Sequence, residues 1–156
     1  MTTKKPWLPP RWFVRAAWVV HRAIYRVSGG RRGLRPATEG RYGMLRLTTV
    51  GRRTGKERNV ILGYVEDGPN LVVVAMNGWA DGEPAWWINL QAQSHGRVVL
   101  ADGAGAVRAR AAEGEECERL WTRIADYPGW GDDIDGLAAR RSLNATVVVF
   151  EPRSTT

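Results

Sequence analysis

The chain has 156 residues, 44% of them hydrophobic, which suits one domain with a real core and excludes disorder along its whole length. A single cysteine, Cys117, excludes an internal disulfide framework, and no run of roughly 18 uncharged apolar residues offers a membrane-spanning helix. The net charge of +7 is uneven: residues 1–58 hold 15 of the 23 Lys and Arg but only two of the 16 acids, Glu39 and Glu57. The N-terminal third should therefore meet an anionic partner: a membrane surface, nucleic acid, or a ligand with phosphate and carboxylates.

The opening MTTKKPWLPPRW has no apolar core of signal-peptide type, which with the lone cysteine leads to a cytoplasmic expectation. Residues 11–27 predict a helix with Arg11, Arg15, Arg22 and Arg26 on one face, and Trp12, Phe13, Trp18, Val19, Val20, Ile24 and Tyr25 over much of the rest. SGGRRG (28–33) ends it, and residues 31–41 read as a basic connector. Residues 1–40 thus form a basic helix and connector ahead of a β-rich domain, 41–156.

In that domain, strands are predicted at 42–50, 58–66 and 71–77, the second and third joined by the hairpin turn DGPN. A short helix follows at 85–93. A hairpin of 97–101 and 106–113 turns at DGAG. Helices are expected over 114–127 and after the turn at Pro128-Gly129, and a closing strand at 144–152. Six short strands would leave edges exposed in a flat sheet, and closure into a barrel removes them. The fold class is α+β, mainly β: a barrel with helices outside, the alternative being an open sandwich.

Three stretches could carry chemistry. In LTTVGRRTGKER (47–58) a strand end is followed by Arg52, Arg53, Lys56 and Arg58, with Gly55 free to turn sharply. Such a loop offers backbone N–H groups and guanidinium forks to an oxyanion, or is simply a solvated basic turn. It lacks the residue order of a P-loop. In VVVAMNGWADGEPAWWINL (72–90) a buried strand runs out at Met76, Asn77 and Gly78, a usual place for a flat ligand. Asn77 and Asn89 could bond a ring's polar edges, whereas Trp86 and Trp87 could equally be core anchors. In DYPGWGDD (126–133), Tyr127 and Trp130 flank a turn and could roof a pocket or clasp two helices. No metal-ligand spacing and no hydrolytic triad occurs, and the acids around Cys117 oppose thiolate chemistry. A cofactor must carry any reaction.

These residues resemble the deazaflavin-dependent nitroreductase family of actinobacteria, a branch of the split-barrel flavin and deazaflavin oxidoreductases. The matching pieces are LTTVGRRTGK (47–56), Arg58, VVVAMNG (72–78), PAWWINL (84–90), GEECERLW (114–121), YPGW (127–130) and VVVFEP (147–152). The resemblance implies a split, FMN-binding-like β-barrel with peripheral helices and a leading amphipathic helix. It implies the coenzyme F420, whose tail carries a phosphate and glutamate carboxylates. By position, Arg52, Arg53, Thr54, Lys56 and Arg58 match residues that hold the tail. Val60 and Ile61 match backbone along the ring system, and Val74, Ala75, Met76, Asn77 and Gly78 match the strand end beside it. Asn89 and Trp86 match the pocket helix; Tyr127 and Trp130 match aromatics over the acceptor. Met76 and Trp79 are bulky where the family has small residues, and Asp133 replaces a family aromatic, which puts the acceptor range in question.

The expected activity is hydride transfer between F420 and a flat apolar acceptor such as a quinone or nitroaromatic, with Tyr127 or solvent supplying the proton. Alternatives are a non-catalytic F420 carrier or sensor, and a membrane-surface adaptor. The helix over 11–27 either lies in a membrane interface on the inner face of the cell membrane or packs over the barrel. A nucleic-acid partner is not expected, because no recognised motif occurs. The expected state is monomer or homodimer.

Overall fold

The computed structural model describes residues 33–76, 82–127 and 145–153. The expected helices over 11–27 and after Gly129, together with Asn77, Gly78, Trp79, Trp130 and Asp133, lie outside the described residues. Six strands and two helices follow in order: β1 (Gly43–Val50), β2 (Glu57–Asp67), β3 (Asn70–Ala75), α1 (Ala85–Ala92), β4 (His95–Leu100), β5 (Gly103–Ala111), α2 (Gly114–Ala125) and β6 (Thr146–Pro152). The strands close into a barrel in the order β1-β2-β3-β6-β5-β4, with β4 returning to β1. Every neighbouring pair is antiparallel.

Alternation along β1 shows how closure works. Gly43, Leu45, Leu47 and Thr49 are buried, while Met44, Arg46, Thr48 and Val50 are half-buried on the outer face. Leu45 and Leu47 meet Tyr64, Val73, Ala75, Val98, Val107, Val148 and Phe150 inside the barrel. From β3 and β6 the alternate residues Val72, Val74, Val147 and Val149 point outward, where Leu120 and Ile124 of α2 cover them. Strands covered on both faces gain nothing from polar alternation, so these two read as unbroken apolar runs.

α2 is also fastened by charge. Both terminal nitrogens of Arg110 reach Glu116 at 2.7 and 2.8 Å, and its Nε donates to Glu151. Arg119 grips Asp67 through two bonds of 2.8 and 3.0 Å. Glu115 and Glu116 in the first turn and Arg123 in the last suit the helix dipole.

Two expectations shift. The β4–β5 turn is Ala101–Asp102, because the ladder runs on to Leu100↔Gly103. Gly103 and Gly105 have open space around them and pair without obstruction. The stretch read as a connector is tied to the barrel from Arg35 onward: Arg35 bridges to Met44, Thr38 to Arg41, and the Ala37 N–H donates to the Tyr64 hydroxyl at 3.3 Å.

Candidate functional site

The basic loop links β1 to β2 at one end of the barrel. It closes on itself through Gly51 N–H to the Lys56 carbonyl and Gly55 N–H to the Gly51 carbonyl, both 2.8 Å. Lys56 N–H also donates to Thr54 Oγ1 at 3.3 Å. Gly55 adopts φ 69°, a left-handed conformation that favours glycine. Gly51 is buried, and a Cβ there would lie 3.0 Å from Thr54 Oγ1 and 3.2 Å from the Lys56 carbonyl.

Arg52, Arg53, Thr54, Lys56 and Arg58 are all exposed. Among the described residues, none of these cations joins an ion pair, whereas Arg110 and Arg119 are both engaged by carboxylates. The peptide N–H groups of Arg53 and Thr54 also have no acceptor among the described residues. A concentration of unopposed positive charge with two free backbone donors is a physical description of an anion site.

The loop is anchored by α1. Asn89 is 4% exposed, and its amide nitrogen donates to Thr49 Oγ1 at 3.2 Å. Its carbonyl oxygen accepts from the Arg52 backbone N–H and from Arg52 Nη1, each at 3.3 Å. Thr49 is the site residue that the sequence reading passed over. A hydroxyl at the inward phase of β1, 2% exposed, is its one legible signal.

The ladder between β2 and β3 is interrupted beside the loop. It has three pairs only, Val65↔Val72, Glu66↔Leu71 and Asp67↔Asn70. Along β2, residues Glu57–Tyr64 continue on β1 alone. In an antiparallel pair alternate peptides face away from the partner, so every second peptide of this segment points into the gap. Continuing the same register would set Ile61 opposite Met76 and Gly63 opposite Val74. Val60 and Ile61 of β2 and Val74, Ala75 and Met76 of β3 therefore flank the unpaired stretch between the two strands, the β2–β3 slot, on the side of the ladder that leads back to the basic loop. Val60 faces the inner cluster, and Ile61 is buried on the opposite face.

The remaining aromatics divide between two faces of the sheet. Trp86 is 7% exposed inside the barrel, tilted against Trp87 and edge-on to Phe150, with ring centroids 6.3 Å apart in both pairs. It is thus a core anchor, as is Trp87. Met76 and Tyr127 instead pack together with the outer cluster beneath α2. Both belong to the periphery of this outer cluster, whereas Trp86 belongs to the inner one.

Among the described residues no group of three or more His, Cys, Asp or Glu could hold a metal ion, and no helix is long and apolar enough to cross a membrane. Burial, with Glu118 and Glu116 nearby, pushes the Cys117 thiol up, which opposes thiolate chemistry.

A model of the F420H(2)-dependent quinone reductase family matches residues 18–152. A Mycobacterium tuberculosis protein that carries the name of an F420H(2)-dependent quinone reductase is 28% identical over 102 residues, covering 65% of this chain and 83% of that relative. A solved F420-H2 dependent reductase is similar with a TM-score of 0.59 and 28% identity, over 69% of this chain and 93% of its own. A chain solved as a domain-swapped dimer gives a TM-score of 0.62 at 24% identity, over 88% of this chain and 99% of its own, a likeness of fold.

Proposed function

This chain belongs to the F420H(2)-dependent quinone reductase family, and on that premise we propose that it binds F420 along the β2–β3 slot and delivers hydride to a quinone at the slot's mouth. It is an oxidoreductase with F420 as its cofactor. The family match favours this over a non-catalytic carrier or a membrane adaptor, and a quinone over a nitroaromatic as the acceptor.

The residues present fit the coenzyme. Its tail is polyanionic, and the loop offers Arg53, Lys56 and Arg58, which join no ion pair among the described residues, with the N–H groups of Arg53 and Thr54 beside them. Its ring is flat, and the interrupted ladder leaves alternate β2 peptides facing the slot. When bound in its reduced form, F420H2, the coenzyme would supply a hydride from a ring carbon. The chain's part is to hold the tail electrostatically, exclude water from one ring face, and set the acceptor about 3–3.5 Å from the donor carbon.

In this reading Arg52, Arg53, Thr54, Lys56 and Arg58 form the tail site. Val60, Ile61, Val74, Ala75 and Met76, with Asn77 and Gly78, border the ring. Met76, Trp79 and Trp130 shape the acceptor pocket, and Trp86 stiffens the barrel behind it. Tyr127 donates the proton that follows the hydride. Residues 11–27 contact anionic lipid peripherally, which would bring the site to a membrane-dissolved quinone.

The unopposed cations beside the broken ladder carry the proposal. Titration of the protein with oxidised F420, followed by coenzyme fluorescence, should give saturable binding. Reoxidation of F420H2 by a menaquinone analogue should then require the protein. Absence of binding at tens of micromolar coenzyme would refute the reading.

A further inference from the structure

The loop's internal hydrogen bonds close it on itself without fixing it to the barrel. The side-chain tie that does so runs through Asn89. Thr49, the last inward residue of β1, accepts from the Asn89 amide nitrogen, and Arg52, the first cation of the loop, donates twice to its oxygen. The assignment of the amide's two ends follows from chemistry: both Arg52 groups can only donate, so they must face the oxygen. Asn89 sits on α1 between Trp87 and Leu90, both held in the barrel interior. One buried side chain thus joins the core helix, the end of β1 and the start of the loop.

We propose that Asn89 is a positioning residue of the anion site, acting through Arg52 rather than by touching a ligand itself. The proposal rests on the function given above, in which this loop grips the F420 tail. Its physical basis is preorganisation. Neighbouring guanidinium groups repel one another, and Gly55 leaves the backbone unusually free. A loop that had to be ordered on binding would lose affinity. Asn89 draws Arg52 back against the barrel and fixes the path by which Arg53 and Thr54 present their N–H groups.

Two measurements test it. Amide exchange at Arg52, in the protein without coenzyme, should be about tenfold faster in Asn89→Ala, since the acceptor of its N–H among the described residues is gone. Asn89→Asp keeps an oxygen facing Arg52 and should retain the protection. Fluorescence titration with F420 should then show Asn89→Ala weakening binding by about tenfold, the cost of ordering the loop on binding. Unchanged exchange in Asn89→Ala would overturn the proposal. So would F420 binding as tight in Asn89→Ala as in the parent. A parent protein that failed to bind F420 would refute the function, while the exchange measurement would still decide whether Asn89 orders the loop.

Discussion

The ring of Tyr64 lies directly over Gly43, its cross-strand partner, so closely that a Cβ at residue 43 would stand 2.4 Å from a ring carbon and 2.7 Å from the Ala37 nitrogen. The glycine is what lets an aromatic 1% exposed fill that end of the barrel while its hydroxyl accepts the Ala37 N–H. Burial pushes the phenol above its ordinary range, so it remains protonated. Gly43→Ala should destabilise the fold by about 1–3 kcal/mol through overpacking. Tyr64→Phe should cost about 1 kcal/mol by leaving the Ala37 N–H unmatched. Urea denaturation of both variants checks this, and a Gly43→Ala protein as stable as the parent would contradict it.

The Asp67–Arg119 pair predicts an acid response. The hydrogen bonds from Arg119 hold the Asp67 carboxyl below the usual carboxylate range. Its contribution is therefore fully present above the unfolded value of about 3.9 and is lost as pH falls through the lower folded value. Asp67→Asn should lower Tm slightly at pH 7, since Arg119 is exposed and such pairs contribute little. It should also flatten the fall of Tm below about pH 4. Parallel Tm curves for variant and parent across that window would count against the assignment.

Tyr127 is expected to act on turnover and not on coenzyme affinity. Tyr127→Phe should reduce kcat for quinone reduction by about tenfold to a hundredfold, at or below the low end for general-acid catalysis because solvent competes for the role. The F420 dissociation constant should stay within about twofold, because the residue packs on the outer cluster, away from the basic loop. An unchanged kcat would assign proton delivery to water.

Peripheral membrane contact through residues 11–27 makes a separate prediction. Sedimentation with phosphatidylglycerol vesicles should retain the parent, and Arg15→Glu/Arg22→Glu should release it, since each basic residue near an anionic surface is worth about 1 kcal/mol. F420 binding should be unaffected. Equal retention of both proteins would remove the membrane contact from the reading.

Much of this was legible in the chain because its signals are local. β1 announces itself by strict alternation, β3 and β6 by apolar runs, and the anion loop by four cations around Gly55. What stayed hidden is non-local. Asn89 and Arg52 are 37 residues apart, and nothing in either neighbourhood declares the bond. The short α1 buries Trp86, Trp87, Asn89 and Leu90 around much of its surface, so no one-sided apolar stripe marks its packing. Trp86 read from the sequence as either pocket or core, and only barrel closure decides that it faces Phe150. The break between β2 and β3 is a matter of register, which no single strand encodes.

Charge reversal at Arg53 and Arg58 bears most directly on how the coenzyme is held. Both side chains are exposed and join no ion pair among the described residues, so Arg53→Glu/Arg58→Glu should keep the parent's circular dichroism and Tm. Its F420 dissociation constant, measured by fluorescence titration at low salt, should rise by about a hundredfold or more. A folded double variant that binds F420 as tightly as the parent would contradict the claim that this loop grips the coenzyme's tail.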